Sequence, residues 1–505
     1  MLPLQRFIYK NILNMTKKHL VSAILMAAFS APAMAGGLLT NTNQNAAFLR
    51  NFAQEGTITL TSIYANPAGT AFLSNGWHLS INSQTAFQTR SIATTFAPFA
   101  MNRENPNTTH EFEGKAKAPV IPSISFTYNH DKWNLSGHLG LIGGGGKCQF
   151  NEGLGSFEAA YSGLMMQMVP QVLPGMVTGR LMEAGVPANY AEMIGGSARY
   201  TGYSMNSFMK GRNYYFGLQL GATYKFTDKL AGFIGLRGVY GNNNYSGNVS
   251  PTAHYSLTVP EPLQAQIPST GSASLNEFGI ALNCDQTGFG VSPIIGLDWW
   301  INKHWNVSAK YEAPTKIKLK NSSQVSANDM VLSQAGGILG QFEDGKKVRE
   351  DLPGLLAIGA QYSLNDKVRF SGAFHEYFDK SSKKDAFNND GTSFNKNDMI
   401  DHNTWEVMLG AEGRVCKLLT VSASWQLTQY GVSDAYMNDL SFNNSANSLG
   451  VGVRIHPSKL FNIDLGYMHT FYQDRTVTTA TAAGPKTDKY SRTNNVFGVG
   501  FNFAI

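Results

Sequence analysis

From about residue 75 to the C-terminus, apolar residues alternate with small or polar ones. Phe497, Val499, Phe501, Phe503 and Ile505 alternate with Gly498, Gly500, Asn502 and Ala504, the period-two signature of a strand with one apolar face. Leu449 to Ile455 and Phe461 to Tyr467 repeat the pattern, with Gly, Asn, Asp or Arg on the second face. A soluble sandwich also alternates, so the connections decide the class. Six are short: 129–132, 226–229, 302–304, 365–367, 415–417 and 456–459. Seven are long and polar or irregular: 93–118, 147–207, 243–286, 321–353, 379–402, 431–447 and 473–491. The two kinds interleave strictly, as periplasmic turns and extracellular loops do in an outer-membrane barrel. The expected fold is all-β, a 14-stranded antiparallel transmembrane β-barrel. Its strands are read at about 75–92, 119–129, 133–146, 208–226, 230–242, 287–302, 304–320, 354–365, 367–378, 403–415, 417–430, 448–456, 459–472 and 492–505. All seven tryptophans (Trp77, Trp133, Trp299, Trp300, Trp305, Trp405, Trp425) fall in these strands, mostly near an end, where interfacial girdles belong.

The N-terminus reads differently. Lys17 and Lys18 precede an apolar run from Leu20 to Phe29, and Ala33-Met34-Ala35 follows, the layout of a secretory signal with a small-residue cleavage site. Residues 1–35 are therefore expected to be removed, and Met15 is an alternative start. The run is too short to span a bilayer, and no later stretch of 18 apolar residues occurs.

Composition narrows the function. The formal charge is +6, but without Arg6, Lys10, Lys17 and Lys18 of the leader 36 basic residues face 34 acidic ones. That near balance argues against a nucleic-acid partner. Cys148, Cys284 and Cys416 form neither a metal spacing nor a disulfide framework, and the scattered histidines offer no Ser/His/acid set. Neither catalysis nor a metal or cofactor is expected. Gly143-Gly144-Gly145-Gly146-Lys147 lacks the first glycine and the hydroxyl of a phosphate loop, since Leu141 and Cys148 stand there. Four glycines at the end of a strand instead invite a bulge or bend, or start the following loop. The 147–207 loop is rich in Phe157, Leu164, Met165, Met166 and Met168, spaced as two short amphipathic helices broken near Pro170 and Pro174. Such a surface suits capture of varied apolar ligands or packs on itself as a cap.

Asn66-Pro67-Ala68-Gly69, the Gly235–Tyr240 stretch, Tyr311-Glu312-Ala313-Pro314 with the lysines that follow, Leu352-Pro353 and Tyr467-Met468-His469 occur in an order that resembles the FadL outer-membrane transporters of long-chain fatty acids and aromatic hydrocarbons. The resemblance implies a small N-terminal hatch, here 36–72, plugging a barrel of 73–505, with Asn66, Pro67 and Ala68 closing the hatch. It implies a tail pocket, for which Leu38, Leu39, Phe48, Leu49 and Phe52 are the candidates. It also implies a head-group lysine at Lys396, in Phe394-Asn395-Lys396, and a lateral window where the third strand kinks, at Gly143, Gly144, Gly145 and Gly146. The family's second basic residue has no counterpart in 241–247; Arg237 is the substitute candidate, with a structural salt bridge as its other reading.

The function so implied is passive transport of a hydrophobic small molecule, by loop capture, a hatch-gated pocket and lateral release. The alternative is a polar-solute porin or a surface binding barrel on the same scaffold. The expected partners are the cargo, outer-membrane lipid and lipopolysaccharide, and the barrel assembly machinery during biogenesis, for a monomer in the outer membrane of a Gram-negative bacterium.

Overall fold

The computed structural model describes residues 43–275, 279–326, 339–387 and 392–505. The leader, Leu38 and Leu39 lie outside the described residues. Fourteen antiparallel wall strands close into a barrel. They are β1 (Gly76–Phe96), β2 (Thr109–His130), β3 (Trp133–Phe150), β4 (Arg199–Thr227), β5 (Leu230–Ser256) and β6 (Ile280–Trp300). Next come β7 in two pieces (Trp305–Glu312 and Lys318–Ser326), β8 in two (Lys347–Arg349 and Leu355–Ser363), and β9 (Val368–Tyr377). The last are β10 (Thr404–Arg414), β11 (Leu419–Gln429), β12 (Ala446–Ile455), β13 (Phe461–Tyr472) and β14 (Gly484–Ala504). β1 pairs with β2 on one edge and β14 on the other, which closes the ring.

The strand count matches the reading of the turns, but several strands run further into the loops. β1 reaches Phe96, β2 begins at Thr109, β4 at Arg199 and β14 at Gly484. These extensions carry polar residues on their outward face, so the apolar alternation that marks a lipid-facing strand fades although the ladder continues. Lower down, outward residues such as Ile81, Leu135, Leu220, Ile234 and Ile295 are exposed, as a lipid-facing belt requires. Trp77, Trp133, Trp299, Trp300 and Trp305 are exposed near the short-turn end.

The barrel interior is filled by residues 43–73. Asn45 caps the short helix α1 (Ala46–Arg50) by accepting from Ala47 N at 2.8 Å. Arg50 then pairs with Asp464 at 2.8 Å and with Glu412, which are themselves held by Arg454 and Arg369. Further along, Glu55 meets His375 at 2.8 Å, and the Gly56 carbonyl accepts from Asn306. Asn66 donates to Asp298 on β6 and accepts from Gly69 N at 3.1 Å, while Ala68 packs on Phe233 and Ile294. The Asn-Pro-Ala segment is thus a turn whose polar side chain is fixed to the wall. Removing one partner of such buried charged pairs leaves the other uncompensated, so the arrangement holds only as a set.

Above the barrel the long loop forms α2 (Gly155–Glu183) and α3 (Ala188–Gly196). The expected break near Pro170 and Pro174 does not occur: α2 runs through both. Phe157, Tyr161, Met165, Val169, Leu173 and Val177 recur every four residues and all are buried. That continuous stripe compensates for the hydrogen bonds the two prolines remove.

Candidate functional site

The wall is incomplete at one place. β2 and β3 pair from His130–Trp133 up to Ile124–Leu139, and again from Ala116–Cys148 to Gly114–Phe150. Between these stretches, 117–123 and 140–147 form no ladder with each other. On the β3 side, register shifts at Leu141/Gly143 and Gly143/Gly146 mark bulges against β4. Gly144 has φ +97°, and a Cβ there would sit 2.2 Å from the Asn213 carbonyl oxygen, so only glycine fits. On the β2 side, Pro119 and Pro122 lack the N–H a ladder needs.

A cavity of about 500 Å³ occupies this gap. Its inner end is lined by Phe48 and Leu49 of the interior segment with Met468 of β13 and Val496 of β14, the two strands that lead up to β1 in the ring. Its outer end is lined by Val120, Leu139 and Phe216, which are exposed on the lipid-facing side. The walls between are Pro119 to Pro122 and Gly143 to Gly146. The lining therefore extends from Phe48 and Leu49 inside the barrel to side chains exposed on its outer face. Its polar end holds Arg492, Gln88 and Asn494 with Tyr430 and Tyr472. The Arg492 guanidinium lies 4.7 Å from the Tyr472 ring centre and donates to Gln88 at 2.6 Å in the amide orientation that satisfies both groups. It has no carboxylate partner among the described residues.

The residues singled out from sequence fall into three groups. Phe48, Leu49 and Gly143 to Gly146 line the cavity; Phe52 packs behind it with Met408 and Met468. Arg237 and Lys396 do not line it. Arg237 donates to Gln219 at 2.6 Å and Glu312 at 3.1 Å and covers the Tyr64 ring at 4.7 Å, so its donors serve the plug-to-wall network. Lys396 is buried among the long loops, 4.2 Å from the Tyr436 ring centre, and its Nζ has no hydrogen-bond partner among the described residues. Burial, reinforced by Lys384, holds its pKa well below the ordinary lysine value, against an opposing pull from Glu350.

In the long loop, Phe157 and Met165 face the loop core, whereas Met166 is exposed; the side chains of Leu164 and Met168 lie outside what is described. Arg492 was missed in sequence because nothing local distinguishes it from other inward charges of β14. Pro119 and Pro122 fall at and just inside the start of the strand read at about 119–129, and no break in the wall was expected from them. Among the described residues no cluster of histidine, cysteine and carboxylate side chains could hold a metal, and the three cysteines are free.

No family model and no curated protein matches the chain. Solved structures do. A FadL homologue of Pseudomonas aeruginosa is similar over 93% of this chain and 99% of its own, with a TM-score of 0.63 and 14% identity. The toluene transporter TbuX of Ralstonia pickettii matches over 92% and 99%, with a TM-score of 0.51 and 15% identity. The toluene transporter TodX of Pseudomonas putida matches over 93% and 100%, with a TM-score of 0.51 and 12% identity. At such identities the likeness establishes a shared FadL-like fold.

Proposed function

We propose that this chain is an outer-membrane channel that takes up a hydrophobic small molecule, holds it between plug and wall, and releases it sideways into the membrane. One observation carries the reading: a single cavity runs from Phe48 and Leu49 through an unpaired stretch of wall to lipid-facing Val120, Leu139 and Phe216. Unpaired wall backbone facing hydrocarbon costs several kcal/mol per group, so the gap is a feature that other parts of the structure must support. The two toluene transporters and the FadL homologue, which share the fold, agree with a hydrophobic cargo. A polar-solute porin is disfavoured because ion pairs and hydrogen bonds tie residues 43–73 to the wall across the lumen.

Arg492 gives the cavity an inward cation beside its apolar lining, an arrangement that suits an amphiphile with an acidic head and an apolar tail. Lys396, unpaired among the loops, supports a second anionic station nearer the outside. Exposed Met166, Met182, Tyr190 and Met193 are the better candidates for first contact, since Phe157 and Met165 are spent on the loop core.

The test is uptake by cells and binding by the purified barrel, each with a fatty acid and a neutral hydrocarbon of similar size. Saturable binding of either, with competition between them, supports the reading. A large, steady ionic conductance in planar bilayers without such binding overturns it in favour of a pore.

A further inference from the structure

We propose that the outward face of the upper piece of β7, with the neighbouring piece of β8, docks the phosphate groups of a phosphorylated glycolipid in the outer leaflet. The inference rests on the outer-membrane placement proposed above but not on the transport route, since none of its residues lines the cavity. Lys316, Lys318 and Lys320 are exposed, while the alternating Ile317, Leu319 and Asn321 are 1%, 0% and 2% exposed. Packing of that inner set leaves the lysines no other face. Across the ladder Lys347 stands opposite Lys320, and Arg349 opposite Lys318. Arg349 turns to Asp351 at 2.7 Å. The four lysines have no carboxylate within ion-pair distance among the described residues. The nearest outward acid on β6, Asp285, stands opposite Ser322 and accepts from Asn244 at 2.9 Å.

Height on the barrel points to the partner. The outward run of β6 is apolar from Trp299 up through Leu297, Ile295 and Val291 to Phe289, then turns polar at Thr287 and Asp285. The backbones of β6 and β7 approach closely there: a Cβ on Gly288 would lie 2.5 Å from the Lys318 carbonyl oxygen, and one on Gly290 2.7 Å from that of Lys316. Lys318 and Lys316 therefore stand level with Phe289 and Val291, at the top of the apolar belt. Like charges set this closely repel one another, and ammonium groups at that depth reach upward on their long stems. A lipid whose acyl chains lie on Phe289, Val291 and Ile295 carries its phosphates to the level where the four ammonium groups gather. A soluble anion has no use for the apolar half of this surface.

The full-length barrel in phosphatidylcholine nanodiscs is titrated with lipid A carrying two phosphates, or with the same lipid after dephosphorylation, and retained lipid is measured by native mass spectrometry. The parent is expected to prefer the phosphorylated form by about tenfold or more, with the preference reduced by added salt. In K316Q/K318Q/K320Q, checked for heat-modifiable migration, the preference falls to about twofold or less. If that variant folds poorly, K318Q alone lowers the preference by about threefold. K316R/K318R/K320R keeps it, and so does K115Q/K147Q, which removes outward charge elsewhere. A parent without preference, a folded glutamine variant that retains it, or its loss in K115Q/K147Q overturns the proposal.

Discussion

Two neighbouring stretches of wall are built from the same kind of alternating strand and behave oppositely. β4 and β5 are paired from Thr227–Leu230 to Arg199–Ser256, with register shifts only at Tyr200/Gly202 and Lys225/Thr227. β2 and β3 are paired at both ends and open in the middle. The difference lies in backbone chemistry rather than apolarity. β4 carries Tyr214, Phe216, Leu218 and Leu220 through the membrane level, whereas β3 carries four consecutive glycines opposite two prolines in β2. A strand with side chains to pack and every N–H present has no reason to leave its neighbour. Where both are withdrawn, the barrel tolerates a gap that the plug and cavity lining support from within.

The strongest way to break this contrast is to make β3 resemble β4. Gly144→Val with Gly145→Thr removes the conformation that only glycine adopts at 144 and favours a straight strand. Uptake is expected to fall by at least about tenfold, with heat-modifiable migration and far-ultraviolet circular dichroism unchanged. Parent-rate uptake by the folded variant would show that cargo does not leave through this gap.

The reciprocal change tests whether any hole in the wall suffices. Leu218→Pro withdraws a ladder donor from β4 and is expected to cost about 1–3 kcal/mol of stability, read as a lower unfolding temperature. It should create no uptake in a background already closed by the glycine substitutions. Transport restored by it would mean that the plug-side cavity is dispensable.

Arg492→Gln sharpens the chemical side. Loss of a charge-assisted contact costs about 1.5–3 kcal/mol for an acidic amphiphile in calorimetric titration and nothing for a neutral hydrocarbon. Equal losses for both would assign Arg492 to packing. On the opposite strand, Pro119→Thr with Pro122→Thr returns two donors to β2, and uptake should fall by about threefold, less than the glycine change because β3 keeps its bulges.

The smallest effect concerns Lys396. Its pKa lies well below the ordinary lysine value because burial, then Lys384, disfavours the charged form. Between the lowered and ordinary values the unfolded chain holds the extra proton. The group's contribution to stability therefore grows as pH rises through that window and is lost as pH falls through the lowered value. Lys396→Met should flatten this dependence in denaturation curves and add about 1 kcal/mol near neutral pH. An acid bound at Lys396 must bring a proton with it, so its affinity should fall with rising pH while that of a hydrocarbon stays level.

Strand number and barrel class were legible because lipid exposure imposes alternation and the connections alternate in length. The glycine run was legible because four glycines have few uses inside a wall. The strand extensions were hidden, since above the membrane both faces are polar and the period disappears. The unbroken α2 was hidden because the two prolines are strong local signals, and only the four-residue spacing from Phe157 to Val177 outweighs them. Arg237 and Arg492 look alike in sequence, as inward arginines on strands. Which one is neutralised depends on Glu312 being near the first and, among the described residues, no carboxylate being within ion-pair distance of the second, and that is decided by cross-strand register.

The footing of α1 sets an order of events during construction. Gly450, Gly452, Gly466, Gly498 and Gly500 on β12, β13 and β14 leave room for its backbone: a Cβ on Gly450 would lie 2.4 Å from the Leu49 carbonyl oxygen, and one on Gly452 2.6 Å from the Arg50 Cβ. A segment that precedes β1 thus takes its seat on β12, β13 and β14, which come after the other wall strands in chain order. The seam between β1 and β14 needs the same β14 that helps seat α1, so closure of the ring and seating of the helix depend on one strand. Residues 46–50 must therefore stay unpacked until β12 to β14 are in place, and the ring closes around them like a hoop drawn tight over its own core.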